Sequence, residues 1–474
     1  MSKNVNLAKL FLIVSLFIGT LFVFLVPSFN SPDEDSHFIY SYQLSRGKIK
    51  TEIKNKTSVY YVPNSILDTI TKTKKINNDR DKKYSYSDYY FDQLIGSDYK
   101  SGIFLKPVIY NSIPIAYLAP TIGIQITDYL HAFGDKNSSV NVNVMLQFAR
   151  FFSLLIYSII GYFAIKITPK YKNSFFAILL LPLSLFLRSM VTYDGLILVT
   201  VALVIANLLK LIDDEKINFT KKHIVLFIIT GFILFNIKTV YSLVFLGAFA
   251  IDKNKFGSMK KKIISLTIII ISVLLLTFLN KLIYIGLPVD SNYYISKQMN
   301  FIKNHPLGYF NILIHNIYGQ IPIQEYWMLG TLGYLDTYLP ILLIFIIKIY
   351  LVIIIINDII NERISFPIWL KIGYLLLIIL AVLGMYTFMY LSWTPVVTGD
   401  IGGNIITGIQ GRYFIPFLLF IPIIFENKII DKIKNKRIKE AFNKFNIFVN
   451  NYFYYITIII LIITIIFIFM RYYC

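Results

Sequence analysis

The sequence predicts an all-α polytopic membrane protein, and three observations support this fold class. Hydrophobic residues make up 56% of the 474 residues and charged residues only 15%, whereas a soluble chain carries about 25% charged residues. Long apolar runs recur along the chain, and a helix that crosses a bilayer needs about 20 such residues. Lysine and arginine concentrate in alternate short loops. These features together predict a bundle of about 11 transmembrane helices with a large extracytoplasmic first loop.

Most of the spans are predicted by long apolar runs. These runs are Leu10–Val26, Val144–Ile165, Phe175–Leu187, Leu196–Ile212, Ile263–Ile285, Thr337–Ile356, Leu370–Leu391, Tyr413–Phe425 and Tyr452–Met470. Two shorter runs, His223–Asn236 and Thr239–Ile251, are separated by Lys238 and predict a tight helical hairpin. The first run lacks a small-residue cleavage site and more spans follow it, which predicts an uncleaved signal anchor.

The charge distribution predicts the orientation. The chain has 46 Lys and Arg against 26 Asp and Glu, a net charge of +20. When the N-terminus is placed in the cytoplasm, most lysines fall in cytoplasmic loops, as the positive-inside rule requires. The charge distribution therefore predicts a multi-pass membrane protein with a cytoplasmic N-terminus and with the functional loops on the extracytoplasmic side. Since topology accounts for the basic excess, a soluble nucleic-acid-binding protein is excluded and membrane lipids are the expected surroundings.

Four regions follow from this topology. They are a signal-anchor helix (1–26), an extracytoplasmic first loop (27–143), a bundle (144–425) with outer loops 288–336 and 392–412, and a basic cytoplasmic loop with the last helix (426–474). The single cysteine, Cys474, excludes internal disulfides and zinc sites of the CxxC type.

An acidic motif directly follows the first span. Ser31, Pro32 and Glu34 fit a helix-capping box with proline at the first helical position. Asp33 and His37 lie one turn apart on the same helix face, at the outer membrane surface. A carboxylate held against an imidazole there is a candidate general base. The structural and the catalytic interpretation are compatible with each other.

Three basic residues lie at the outer ends of predicted spans: Arg188, Lys238 and Arg412. Charges at that depth are costly and mark functional sites, although snorkelling to the interface is the alternative for each one. Arginine and lysine both bind phosphate. An anionic, lipid-linked ligand therefore suits the set.

Tyr193 and Asp194 stand at the mouth of the span that follows Arg188. Asp194, just before Gly195, also fits a helix N-cap. The remaining histidines show no metal-ligand spacing, and the chain has no Walker, GxGxxG, HExxH or GxSxG motif in a suitable context.

Taken as a set, the motifs resemble a bacterial multi-pass membrane family, domain-of-unknown-function family 2142 (DUF2142), which looks like a branch of the GT-C glycosyltransferase superfamily. The matching stretches are Pro32-Asp33-Glu34-x-x-His37 with Arg46-Gly47; Tyr193-Asp194; Lys238-x-x-Tyr241; Gln298 followed by His305-Pro306; Leu329-Gly330-x-x-Gly333-x-Leu335-Asp336-Thr337-x-x-Pro340; and Gln410-Gly411-Arg412-Tyr413-Phe414-x-Pro416. Tyr40 stands near the place where the family tends to have an arginine.

The resemblance implies a membrane glycosyltransferase that takes a sugar from a polyprenyl-phosphate donor to a cell-wall or lipid-linked glycan acceptor. The resemblance implies Asp33 and Glu34 as the catalytic acids and Arg412, supported by Lys238, as the contact for the donor phosphate. The positions of His37 and Arg188 add His37 to the catalytic candidates and Arg188 to the phosphate-binding candidates. Substrate-cavity candidates are Tyr193, Asp194, Tyr241, Gln298, Gln410 and Tyr413. The oxygen ligands of Asp33 and Glu34 would suit Mg²⁺ or Mn²⁺, and metal dependence stays open. Two alternatives are a flippase of lipid-linked glycans and a non-catalytic partner in envelope assembly.

Overall fold

The chain is mainly helical in a computed structural model, which describes residues 5–50, 52–54, 57–85, 87, 94–95, 101–104, 113–133, 140–283, 292–361, 366–426 and 436–474. Parts of the predicted first loop and most of the predicted basic loop, 427–435, lie outside these residues. The helices are α1 (Leu7–Leu25), α2 (Glu34–Ser45), α3 (Asn64–Thr73), α4 (Leu118–Phe133), α5 (Val142–Ile167), α6 (Lys172–Leu179), α7 (Pro182–Ser189), α8 (Asp194–Asp213), α9 (Lys221–Lys238), α10 (Met259–Ile283), α11 (Asn292–Asn304), α12 (Pro306–Gly330), α13 (Ile341–Asn361), α14 (Ile368–Ser392), α15 (Thr394–Thr398), α16 (Ile415–Leu418), α17 (Ile421–Ile424) and α18 (Lys436–Tyr473).

Short strands occur between the helices. They are β1 (Glu52–Lys54), β2 (Thr57–Pro63), β3 (Leu94–Ile95), β4 (Ser101–Phe104), β5 (Val140–Asn141), β6 (Thr331–Leu332) and β7 (Thr337–Tyr338). All their pairings are antiparallel: β1, β2 and β4 form one sheet in that order, and β3–β5 and β6–β7 are separate pairs. The β6–β7 pair connects α12 to α13.

The predicted membrane-protein class is confirmed by the long apolar helices. Eight helical segments among the described residues are long and apolar enough to cross a membrane, and the bent pair α6–α7 would make a ninth. The predicted span Phe175–Leu187 is this bent pair, whose axes differ by 61°. Pro182 begins α7, where it cannot donate a backbone hydrogen bond to continue α6.

The predicted hairpin around Lys238 is also confirmed. Lys238 has an extended backbone between α9 and a 3-10 helix, Thr239–Ala250. The Phe227 and Phe245 rings lie 5.6 Å apart, and Phe219 N donates to Lys255 O at 2.9 Å. The two segments therefore run antiparallel on either side of Lys238, and together they are counted as one of the eight apolar segments.

The predicted regular span Tyr413–Phe425 is wrong in its helical form. This stretch consists of a 3-10 turn, Gly411–Phe414, and the short helices α16 and α17. Pro416 and Pro422 each stand in the first helical turn, where a new helix begins and the previous one ends. The stretch still crosses the bundle, because Arg412 contacts Asp33 and Glu426 pairs with Lys371 in the first turn of α14. The hairpin and this broken stretch account for the difference between the nine segments and the predicted spans.

Polar contacts gather at the two ends of the bundle. At one end, here called the Asp33 end, α1 finishes and α5 and α8 begin. There Arg471 of α18 binds Asp336 at 2.7 Å, and Tyr84 N donates to Tyr472 O at 2.6 Å. At the opposite end, Asp358 accepts hydrogen bonds from Asn173 and Ser174. The apolar core of the bundle lies between these clusters.

Candidate functional site

The turn between α1 and α2 sets the position of Asp33. Asp33 has a left-handed backbone with φ of 61°, a conformation that aspartate tolerates better than most residues. Helix α2 begins at Glu34, and no side chain caps it. The predicted capping box is therefore wrong, since the buried Ser31 hydroxyl has no hydrogen-bond partner within the described part of the chain.

Four charged side chains from four parts of the chain meet at this point, and we call them the ion cluster: Asp33, Asp194, Lys238 and Arg412. Arg412 Nη2 lies 3.2 Å from Asp33 Oδ2, and Arg412 Nε lies 3.1 Å from Asp194 Oδ2. Lys238 Nζ lies 2.7 Å from Asp194 Oδ1. Asp194 is thus a bridge between two cations rather than the N-cap that its position also fits.

The members of the ion cluster differ in their exposure. The side chains of Asp194 and Arg412 are 8% and 6% exposed, whereas that of Asp33 is 38% exposed. Asp33 is therefore the carboxylate of this cluster that a ligand can reach, and the positive charge of Arg412 holds it in place.

His37 lies beside the ion cluster in an aromatic setting. Its Nδ1 is 2.8 Å from Tyr117 Oη rather than bonded to Asp33, and its ring meets the Tyr193 ring edge-on with centroids 4.7 Å apart. Burial lowers the pKa of His37 to about 4, although Asp33 and Asp194 oppose the shift. Burial therefore favours the neutral form of His37 and makes this imidazole a weaker proton acceptor than an exposed one.

Three predicted cavity residues pack around Lys238. Its Nζ stands 3.9 Å from the centroid of the Tyr413 ring and 5.5 Å from that of Tyr193. Tyr241 Oη donates to Tyr413 O at 2.8 Å, which fixes the backbone next to Arg412. The two aromatic rings thus hold the Lys238 ammonium by cation–π contacts. Lys238 itself stays partly exposed at the tip of the hairpin.

A narrow cavity lies on another side of Arg412. Gln410, Arg412, Pro32 and Thr331 contribute to its lining. Arg412 Nη1, Gln410 Oε1 and Thr331 Oγ1 are buried and have no hydrogen-bond partner among the described residues. Unsatisfied polar atoms of this kind are costly unless a ligand or water pairs with them.

Glu34 requires a correction, because its environment does not fit the predicted catalytic role. It is fully buried and receives two hydrogen bonds from Arg150, at 2.8 and 2.6 Å, and one from Val191 N. Arg150 also donates to the carbonyls of Val23, Val26 and Pro27 at the end of α1. Glu34 therefore joins α1, α2 and α5, and both of its oxygens are occupied.

Arg188 and Gln298 do not join the ion cluster either. Arg188 is fully buried and donates to Leu179 O and Ser15 Oγ, so it faces the middle of α1 rather than a phosphate site. Gln298 Oε1 accepts from Gly402 N in the loop after α15. Both side chains fix neighbouring segments of the chain.

Two residues near the site were missed. Arg150 lies inside an apolar run, the same signal that selected Arg188, so the sequence contained the information needed to find it. Tyr117 carries no comparable signal, since the first loop has many tyrosines and only the fold brings Tyr117 to His37.

The carboxylates of the site are already paired with cations from the protein. Glu34 is saturated by Arg150, and both oxygens of Asp194 face Lys238 and Arg412. Within the described ranges, no group of three or more His, Cys, Asp or Glu side chains could hold a metal ion. The donor set at Asp33 and Glu34 therefore does not fit the divalent cation that the sequence left open.

The fold and site define a polytopic α-helical membrane protein with an ion cluster at one end of its bundle. The chain belongs to the family described as predicted membrane protein (DUF2142), whose model matches residues 16–421 of the 474 residues. No curated protein and no solved structure matches the chain.

Proposed function

We propose that the protein is a membrane glycosyltransferase that moves a sugar from a polyprenyl-phosphate donor to a hydroxyl of an envelope glycan. The observation that carries this proposal is the accessible carboxylate of Asp33, held by Arg412 next to Lys238. A base and an anion-binding pair in contact are the two parts that such a transfer requires.

The charge distribution supports a site on the extracytoplasmic side of a bacterial cytoplasmic membrane. Lys253 and Lys255 lie between the hairpin and α10, and Lys260, Lys261 and Lys262 lie in the first turn of α10, at the end of the bundle opposite the ion cluster. Lysine-rich short loops face the cytoplasm. The ion cluster then faces the outside.

An apolar groove supports a lipid-linked donor. The groove has a volume of ≈ 220 Å³ between α9, the 3-10 helix that follows it, and α10, and its lining includes Phe235, Ser242 and Val273. Phe235 and Ser242 lie within about one helical turn of Lys238. A prenyl chain in this groove would have its phosphate near the basic residues.

The reaction would be a single displacement. Asp33 accepts the proton of the acceptor hydroxyl while the oxygen of that hydroxyl forms a bond to the anomeric carbon of the sugar. The bond between that carbon and the phosphate oxygen breaks, and the electron pair leaves with the lipid phosphate. Arg412 and Lys238 stabilise the departing anion. One displacement inverts the configuration at the anomeric carbon.

The test uses purified protein in vesicles with a panel of undecaprenyl-phosphate-linked radiolabelled hexoses and an envelope glycan acceptor. Asp33→Asn and Arg412→Ala should each abolish transfer, by about 10²-fold or more, while membrane expression stays intact. Asp128→Asn is the matched control, because Asp128 pairs with Arg46 in an exposed contact away from the ion cluster.

Full transfer activity of Asp33→Asn would disprove the role of Asp33 as a base. Movement of labelled lipid-linked glycan across the bilayer without glycosidic bond formation would favour a flippase instead. Loss of glycan assembly in cells only when the whole protein is deleted, and not in Asp33→Asn, would favour a non-catalytic assembly partner.

A further inference from the structure

Helix α12 has three distinct faces, which can be separated by the rotation of about 100° per residue. Its buried face carries Tyr309, Ile312, Leu313, Asn316 and Gln324. One exposed face, about 80° wide, carries Leu307, Phe310, Ile314, Tyr318 and Ile321. The other exposed face carries Asn311, His315, Gly319 and Pro322.

The apolar exposed face is strongly exposed for a set of large side chains. Leu307 is 80% exposed, Tyr318 78% and Phe310 55%. A continuous apolar stripe of this length does not stay in water. Because the neighbouring exposed face carries Asn311 and His315, with Gly319 and Pro322, in place of large apolar side chains, the stripe also differs from a helix that is surrounded by lipid on every open side.

Both ends of α12 lie at the Asp33 end of the bundle. Near its beginning, Tyr309 Oη donates to Thr387 Oγ1 in the penultimate turns of α14. At its end, Leu339 N donates to Gly330 O just before α13 starts. A helix of 25 residues is about 37 Å long, so α12 lies across this end of the bundle rather than through it.

The buried face is occupied by the protein. Asn316, Gln320 and Gln324, one turn apart, donate to the carbonyls of Asn404, Ile406 and Ile409. We call these three side chains the amide ladder. The ladder holds the segment 404–410, which leads to Arg412, so the protein covers one face and leaves the other two open.

The apolar stripe is continuous with the lipid-facing surface of the spans. Towards its end the stripe reaches Glu325, which pairs with Lys348 of α13 at 2.5 Å in a half-exposed contact. Beside it, Ile341, Leu342 and Phe345 at the start of α13 are exposed. The Glu325–Lys348 ion pair on this surface is tolerated if lipid headgroups and water can reach it.

From these faces we propose that α12 is an interfacial helix that lies in the lipid leaflet at the Asp33 end. Its apolar stripe enters the acyl chains about 5–10 Å deep, its polar face meets water, and its amide ladder faces the protein. The occupant of the stripe is the bilayer itself. In this arrangement, the segment 404–410 that leads to Arg412 lies at the level of the lipid headgroups.

The experiment uses the full chain in phosphatidylcholine–phosphatidylglycerol vesicles at low protein density. The only native cysteine, Cys474, is replaced by Ser, and single cysteines are introduced as Leu307→Cys and Tyr318→Cys on the stripe. The matched controls are Asn311→Cys and His315→Cys on the polar face. Each is labelled with an environment-sensitive fluorophore.

The stripe positions should show blue-shifted emission, loss of fluorescence with lipids brominated near the headgroup, and protection from aqueous iodide. The polar positions should show the reverse. Equal iodide quenching at all four positions would overturn the proposal, as would protection of the stripe from both quenchers, which would mean that protein covers it. Neither readout depends on glycosyl transfer, so failure here is distinct from failure of the proposed function.

Discussion

At the scale of single residues, the neighbouring carboxylates Asp33 and Glu34 have opposite surroundings. The Asp33 side chain is 38% exposed and contacts Arg412 Nη2 through one oxygen. Glu34 is fully buried, and Arg150 donates a hydrogen bond to each of its oxygens. Their residue types and adjacent positions suggested similar roles. What separates them is a contact with a residue 116 positions away, and no local pattern shows such a contact.

Neutralising Glu34 should damage stability rather than chemistry. Glu34→Gln leaves the buried Arg150 charge uncompensated, which costs about 3–5 kcal/mol. We expect a large drop in the thermal unfolding temperature in detergent. Asp128→Asn breaks a more exposed pair with Arg46 and should cost about 0–1 kcal/mol.

The paired change Glu34→Leu with Arg150→Met removes both charges and should recover much of the lost stability. A Glu34→Gln variant with a wild-type unfolding temperature and no transfer activity would contradict the structural assignment and return Glu34 to the catalytic group.

At the scale of elements, α12 and the segment 404–410 form one unit. Gly411 lies so close to α12 that a Cβ atom there would be 2.3 Å from Met328 N and 2.6 Å from Gln324 O. The amide ladder and this close contact fix the backbone one residue before Arg412.

Apolar runs predicted the spans well, because lipid solvation demands length and hydrophobicity. They did not predict the proline-broken stretch after Arg412, whose packing depends on side chains from α13 and α14.

The amide ladder should affect transfer through the position of Arg412. Gln324→Leu removes the hydrogen bond to Ile409 O. A displacement of the segment 404–410 by about 1 Å should then raise the KM for the lipid-linked sugar by about tenfold or more. The unfolding temperature should change little. Asn311→Ala, on the water-facing side of the same helix, is the control. Activity that falls only in proportion to the loss of folded protein would show that the ladder is merely structural.

At the scale of the whole molecule, the basic residues behind the net charge of +20 fall into two groups, one that predicts membrane orientation and one that takes part in the ion cluster. The lysines between Lys253 and Lys262 lie at the end of the bundle opposite the ion cluster and predict orientation. Among the basic residues at the Asp33 end, Arg412 contacts Asp33 and Lys238 contacts Asp194, and the sequence had placed both cations on the same side of the membrane as Asp33. Arg188 met the same criterion but points into the bundle, because burial direction is a property of packing that a hydropathy pattern does not contain.

The stability of the whole molecule should depend on pH through His37. The pKa of this imidazole is about 4 in the folded protein and 6.5 when unfolded, so the unfolded chain binds more protons between these values. Stability therefore falls as the pH is lowered from about 6.5 towards 4, by about 2–3 kcal/mol near pH 4.5. Thermal unfolding of wild type and His37→Gln across this range checks the effect, since the variant lacks this contribution. Identical pH profiles would contradict it.

The sharing of Arg412 between two carboxylates has a consequence for the order of events in the proposed reaction. The Asp33 carboxylate occupies the position on Arg412 Nη2 that a phosphate oxygen would take. In the proposed reaction, a donor phosphate that binds Arg412 would displace Asp33 from this contact and leave its carboxylate free to meet the acceptor hydroxyl. The base would then reach the acceptor only after the donor is bound, which would make binding ordered and protect the activated sugar from premature attack by water.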